Sequence, residues 1–455
     1  MPYKLKVFFL SLLSVPLLLT NAATAEVKTS EIEQLKQQIL EIQKQNAQQI
    51  EQLQNKIESL ESDRASNDLK IDEFIAKKEA EDAYAWYKGM KAGYKKGFFM
   101  ETADGNFKTK FNIRGQFRAQ YLDPEDDAGE NLEFDLARVR LQWKGNAFRP
   151  WFKYKLQLDV REDSFNLRDL VFDFAYNKQF VPRVGQYKVP FNREQLTSSS
   201  ALQFVDRSIL DRNFAFGRDA GIGLHGKIQK MFLYELGLFQ GEGRNSDEGD
   251  ENGLDTGLLW SGRIMFSPLG KDLKPKHNFV KEPTIQIGAA VAGIESEITG
   301  DDGNSSLFDE TDNRNFRARG ADFAALGATD LQLITWAVDL ALLHPRANLE
   351  ASYIGADYDP TGVGGDAYDQ GFRVQAGVFL MPKLLEVAAR YAYVDFDDAV
   401  GSDDSAWEIT PAISYYLGNS HRWKIQADYS YIEEEDIDGI TEEENRFRLQ
   451  LQAYF

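Results

Sequence analysis

The chain has 455 residues, with 52 Lys and Arg against 72 Asp and Glu, a net charge of -20 and no cysteine. That acid excess argues against a protein that wraps nucleic acid, and the absence of thiols excludes a disulfide framework, a zinc–thiolate site and a cysteine nucleophile. A mean hydropathy of -0.45 argues against a bundle of transmembrane helices, yet aromatics reach 13%, high for so polar a chain.

The first 25 residues read as a secretory signal peptide. Lys4 and Lys6 form a basic start, Val7 to Leu19 an apolar run, and Ala23-Thr24-Ala25 a small-x-small cleavage site. The run has thirteen residues, short of the roughly 18 that span a bilayer. Residues 26–62 then read as a periplasmic coiled coil. Ile32, Leu35, Ile39 and Ile42 follow a/d spacing, and Ile50, Leu53, Ile57 and Leu60 repeat it after a four-residue stutter. Asn46 falls at an a position, where a buried amide fixes register. Without a partner, the same pattern would be a solvated amphipathic helix. Residues 63–106 are expected to be a helical or mixed linker, with Tyr84, Trp86, Tyr87 and Tyr94 close together near its end.

From Phe107 the period changes to two. Phe107, Phe111, Ile113, Phe117 and Tyr121 alternate with Lys108, Lys110, Asn112, Arg114, Gln116, Arg118 and Gln120. This predicts a strand with one apolar and one polar face, longer than soluble proteins usually build. Residues 131–144 repeat the pattern with an irregularity at Leu136-Ala137 that suggests a bulge. Residues 152–161, 372–380, 385–393, 423–431 and 447–455 continue it. Sixteen candidate strands fit the 349 residues from Phe107 to Phe455, at about 22 residues per strand and connection. Short connections such as Asn177-Lys178, His344-Pro345-Arg346 and Met381-Pro382-Lys383 alternate with long acidic ones, and the stretch 267–283 is long where a short one is expected. Residues 107–455 therefore predict a closed, 16-stranded antiparallel transmembrane β-barrel, an all-β fold preceded by a short α-helical coiled coil. The soluble alternative, a sandwich or propeller, would use shorter strands.

The segment Gly185-Gln186-Tyr187-Lys188-Val189-Pro190-Phe191-Asn192-Arg193-Glu194 resembles the fingerprint of the phosphate-selective porin O and P family. So does its context: Gly97-Phe98-Phe99, Asp104-Gly105-Asn106-Phe107 and Ile113-Arg114-Gly115-Gln116 upstream, and Arg218-Asp219-Ala220-Gly221-Ile222-Gly223 downstream. The resemblance is dense from about residue 93 to 240 and rests mainly on strand pattern from 256 onward. It implies a homotrimeric outer-membrane pore for small anions in a Gram-negative bacterium, with lipid around it and an inward third loop that narrows it. A coiled coil ahead of the barrel also occurs in relatives. By position that loop is about 189–217; it carries Arg193, Arg207 and Arg212, with Arg218 at its end, against Glu194, Asp206 and Asp211. Phosphate-specific members place lysines in and near the constriction, and this loop contains none.

The residues argue for anion passage without the family. Lys108, Lys110, Arg114, Arg118, Arg138, Arg140, Lys144, Lys153, Lys155 and Arg161 share the polar face of the first three strands, where Asp159 is the single acid. An Arg or Lys facing lipid at the midplane costs roughly 2–4 kcal/mol, so these cations should line water. A lumen wall of one sign concentrates counter-ions, and phosphate or polyphosphate is a candidate permeant. The competing reading pairs these cations with Asp169, Asp173, Glu235, Asp339, Glu350, Glu386 and Asp428 from other strands. His225, His277, His344 and His421 are scattered without metal-ligand or catalytic spacing, so no cofactor, metal or catalytic residue is expected. A barrel enzyme and a structural tether or adhesin are the alternatives to a pore.

Overall fold

The computed structural model describes residues 29–124, 131–161, 164–241, 243–245, 257–269, 273–297, 319, 323, 325–397, 405–435 and 441–455. The expected signal peptide and most of the acidic connections lie outside them. The chain divides into two units at Ala85/Trp86.

Helix α1 runs from Thr29 to Lys88. It carries the heptad pattern but does not end with it: no Pro or Gly stands between Thr29 and Lys88 to break the helix. The stretch 63–88, expected as mixed linker, is therefore helical. Leu35, Ile39, Ile42, Ile50, Leu53, Ile57 and Leu60 are all exposed on it. The side chains of Tyr84, Trp86 and Tyr87 lie outside the described ones.

A short hairpin, β1 (Lys91–Tyr94) and β2 (Phe98–Glu101), precedes the barrel. Sixteen strands follow. They are β3 (Lys108–Pro124), β4 (Asn131–Asn146), β5 (Phe152–Arg161), β6 (Ser164–Phe174), β7 (Val181–Lys188), β8 (Arg218–Ile228), β9 (Phe232–Phe239) and β10 (Leu259–Phe266). The second half comprises β11 (Thr284–Glu297), β12 (Asp330–His344), β13 (Ala347–Thr361), β14 (Ala367–Met381), β15 (Leu385–Asp395), β16 (Ser405–Tyr416), β17 (Trp423–Glu435) and β18 (Thr441–Tyr454). Each pairs antiparallel with the next, and β18 returns to β3 with Leu449 opposite Ala119, closing the ring. Closure satisfies every strand edge inside lipid. Where β3 extends past the end of β18, the hairpin takes over, with Phe98 opposite Phe111, and the last residue joins as well: Ile113 donates to the Phe455 carbonyl at 2.8 Å. This edge pairing by residues 91–101 is absent from the strand pattern that begins at Phe107.

The barrel is inverted relative to a soluble protein. On β18, Phe447, Leu449 and Leu451 are exposed, whereas Arg448, Gln450 and Gln452 between them are buried. The same inversion holds on β3, where Asn112, Arg114 and Gln116 are inside. This is the arrangement of a barrel with lipid outside and polar groups within. The bulge falls where the pattern slips: Gln116 faces Arg138 and Arg118 faces Asp135, so Leu136 and Ala137 stand opposite Phe117 alone.

Strands β11 and β12 depart from the polar-inside rule. Ala292, Ile294, Leu331 and Leu333 point inward and are buried with Val189, Phe191, Leu210, Phe214 and Phe216 from the connection between β7 and β8. That connection thus supplies an apolar core inside the barrel.

Candidate functional site

Residues 189–217 turn into the lumen and cross it. They are held in shape by two short helices, α2 (Arg193–Leu196) and α3 (Ile209–Phe214). Each has a side-chain cap: the Asn192 carboxamide accepts from the Gln195 backbone at 2.6 Å, and the Ser208 hydroxyl from Asp211. Glu194 ties the helices together, accepting from the Ser208 hydroxyl at 2.6 Å and its backbone N–H at 3.1 Å.

The loop is fastened to the wall formed by β12 to β17. Arg193 Nε donates to Glu350 at 3.0 Å, with Asp339 at 3.7 Å. Gln203 donates to Asn348 at 3.1 Å and to Glu386 at 2.9 Å. The backbone N–H groups of Val205 and Ile209 donate to Asp428 and Glu408, each at 2.9 Å. Gly377 makes room for this approach: a Cβ there would lie 1.9 Å from Gln203 Nε2.

Ionisation within the loop is divided. Burial opposes the Glu194 carboxylate, but Arg373 and Arg390 keep its carboxyl below the ordinary value. Burial likewise opposes Asp206, and Arg138 and Arg448 hold it far down. Asp211 goes the other way, pushed up to about 7 by burial despite Arg207 at 3.2 Å, with the Glu194 charge adding to the rise.

On the opposite side, between the loop and β3 to β9, a cavity of about 250 Å³ remains. Arg114, Arg140, Lys153, Lys155, Arg183, Lys188 and Arg218 line it, against the three acids Asp169, Asp173 and Glu235. Asp169 is engaged by Lys155 at 3.0 Å and Arg218 at 3.2 Å, and Asp173 by Arg183 at 2.7 Å. Arg114 is different. It is 4% exposed, and its Nε and Nη2 have no hydrogen-bond partner among the described residues. Arg114 thus lines the cavity with a charge whose buried Nε and Nη2 no described residue satisfies.

The twelve cations selected from sequence do not form one site. Arg114, Arg140, Lys153, Lys155 and Arg218 converge on the cavity. Lys108 is drawn to Glu101 of the hairpin at 2.7 Å, and Lys110 donates to the Lys95 carbonyl, so both serve the hairpin instead. Arg118 grips Asp135 at 2.8 Å and Arg138 grips Asp206 at 2.9 Å. Arg193 is buried within the far wall, and Arg207 pairs with Asp211. Arg212 is half-buried on α3, with no ion-pair partner among the described residues. The acids that sequence reading set against these cations do face inward, Asp169, Asp339, Glu350, Glu386 and Asp428 all being buried.

Lys188 and Arg183 were missed. They sit on β7, where Gly185 takes a φ of 122° and breaks the alternation, so their face is not legible from period two. Lys188 donates to the carbonyls of Gln195 and Thr197, putting a lysine at the base of a loop that has none.

Comparison with known proteins agrees with this architecture. Residues 107–455 match the family described as phosphate-selective porin O and P. An uncharacterized protein of Aquifex aeolicus is 25% identical over 388 residues, 76% of this chain and 87% of its own length. An anion-selective porin from Comamonas acidovorans superimposes with a TM-score of 0.52 at 15% identity, covering 76% of this chain and 99% of that one. The trimer form of OmpT, an outer membrane protein of Vibrio cholerae, gives 0.52 at 11% identity, over 76% of this chain and 99% of that one. A profile match across the whole barrel, on a closed ring with a polar lumen and an apolar exterior, places this chain in the phosphate-selective porin O and P family, as a porin of the Gram-negative outer membrane.

Proposed function

We propose that this protein is a passive channel for small anions, conducting through the cationic cavity between the inward loop and strands β3 to β9. The carrying observation is Arg114, buried and without a hydrogen-bond partner for two of its nitrogens, in a lining of seven cations and three acids. A desolvated cation excess repels cations and concentrates anions in a low-dielectric passage. Passage needs no chemistry, and the histidines are occupied structurally: His277 meets Glu350 at 2.8 Å and His225 meets Asp173 at 3.4 Å.

The constriction loop lacks lysine, and its arginines Arg193 and Arg207 are paired with acids. We therefore read a general small-anion path, with inorganic phosphate as one permeant. The exposed apolar seam of α1 and the trimer form of the structurally similar OmpT support a homotrimer, ringed by outer-membrane lipid.

Planar-bilayer recording of the purified protein tests this. In a potassium chloride gradient the reversal potential should take the sign of chloride preference; a cation-preferring potential would sink the proposal. Millimolar phosphate should then add to the current or leave it unchanged. Block of chloride current at micromolar phosphate would replace the general path with a specific site.

A further inference from the structure

The connection from β10 to β11 is long on the side where the other connections are short, and its residues 273–283 enter the lumen. Leu273 packs with Leu233 and Met265, and Val280 with Ala341 and Leu343, so both ends of this stretch are anchored. Between them His277 and Asn278 are buried. Phe279 sits at a φ of 56° with its ring against Tyr416, centroids 4.8 Å apart.

Two wall carboxylates hold this stretch and the inward loop at once. Glu350 uses Oε1 for His277, at 2.8 Å, and Oε2 for Arg193, at 3.0 Å. Glu386 uses Oε1 for Gln203, at 2.9 Å, and Oε2 for Asn278, at 2.6 Å. Arg193 also donates directly to the Lys276 carbonyl. The loop arrives from one end of the barrel and the connector from the other, and they meet on the same two side chains.

A pattern in the acids gives this meaning. Asp339, Glu350, Glu386, Glu408 and Asp428 lie on this wall, and each is bound by the loop or the connector. Strand arginines Arg263, Arg373, Arg390 and Arg448 pair with four of them, whereas Glu386 is held by neutral side chains, Gln203, Asn278, Asn348 and Tyr416. Left open to water, the Glu386 carboxylate would attract cations and oppose the cationic cavity across the lumen. Building on the channel reading above, we propose that residues 273–283 are a second constriction element. Together with the loop they seal the half of the lumen bounded by β12 to β17. Anion preference thus arises by covering the Glu386 carboxylate as well as by exposing a basic wall, and His277 and Asn278 are positioning residues for selectivity.

The chain has no cysteine, so single cysteines report accessibility cleanly. Ser198 lines the cavity and is exposed, whereas Ser414 lies on the sealed wall, buried, directly opposite Glu386. With a negatively charged thiosulfonate, Ser198→Cys should react at least about tenfold faster than Ser414→Cys, because a sealed site reacts only through local opening. Adding His277→Ala and Asn278→Ala should speed Ser414→Cys by about fivefold or more, since both changes free the clamped wall. The double variant without cysteine should conduct more and shift its reversal potential toward cations, although neither substitution removes an acid. A purely structural role for the connector would leave that reversal potential unchanged and would overturn its part in selectivity. Equal rates for the two cysteines in the otherwise unaltered barrel would overturn the seal. A Ser414→Cys rate unmoved by the double variant would overturn the connector's part in it. Rates are read by mass spectrometry, whereas failure of the channel reading appears separately, as no current through the unsubstituted protein.

Discussion

Arg114 and Arg193 show how little a residue type says about its task. Both are buried arginines in the barrel interior, yet Arg193 is neutralised by Asp339 and Glu350 while Arg114 lines the cavity without an ion-pair partner among the described residues. Arg114→Gln should therefore lower the anion-to-cation permeability ratio about two- to fivefold and leave thermal stability nearly unchanged; an unaltered reversal potential would remove Arg114 from the path. Asp211 offers a pH test. Its carboxyl, pushed up to about 7, titrates higher in the folded chain than in the unfolded one. The folded state then binds the extra proton between about pH 4 and 7, so this group makes stability fall as pH rises through that window. Asp211→Asn should flatten the stability of the barrel across that range, measured by urea unfolding at several pH values.

At the scale of elements, alternation located the strands wherever one face meets lipid and the other meets water. Strand β18 is the clear case, with Leu449 outside and Gln450 inside. Leu449→Arg should cost roughly 2–4 kcal/mol in folding into lipid vesicles, and Gln450→Arg should cost much less; equal penalties would mean the faces are misassigned. Strands β11 and β12 carry a weaker apolar–polar alternation for a physical reason. Leu331, Leu333, Ala337 and Ala341 point inward and Ile334 and Trp336 outward, so both faces of β12 are largely apolar and only Thr335 and Asp339 mark its lumen side. The apolar inner face exists because the loop packs on it, each buried large side chain being worth about 1.5–3 kcal/mol. The hairpin β1–β2 was illegible because four-residue strands carry too few positions to show a period.

On the scale of the whole molecule, the net charge of -20 gave the wrong hint about what passes. Much of the acid lies in the connections, as in Asp247 to Asp255 and Asp301 to Asp312, and a further set on the inner wall is covered by the loop and connector. The heptad positions of α1 are exposed in a single chain, and burial of that seam between copies would give them partners. In the full-length protein, oxidation of Leu53→Cys in native membranes should yield a disulfide-linked dimer on a denaturing gel, as two helices of a trimeric bundle capture each other. Persistent monomer would argue that the helix stands alone.

By itself the sequence determined that residues 107–455 form a lipid-embedded barrel, because a period of two with inverted polarity has few other solutions in water or in lipid. It also located the bulge at Leu136-Ala137 and, through the family fingerprint, the inward loop. Only the tertiary structure decided which cations are free. Pairing joins residues far apart in the chain, such as Arg193 with Glu350 and Arg138 with Asp206. No local pattern encodes such a pair, since what neutralises a lumen charge is whatever a neighbouring strand, the loop or the connector brings against it.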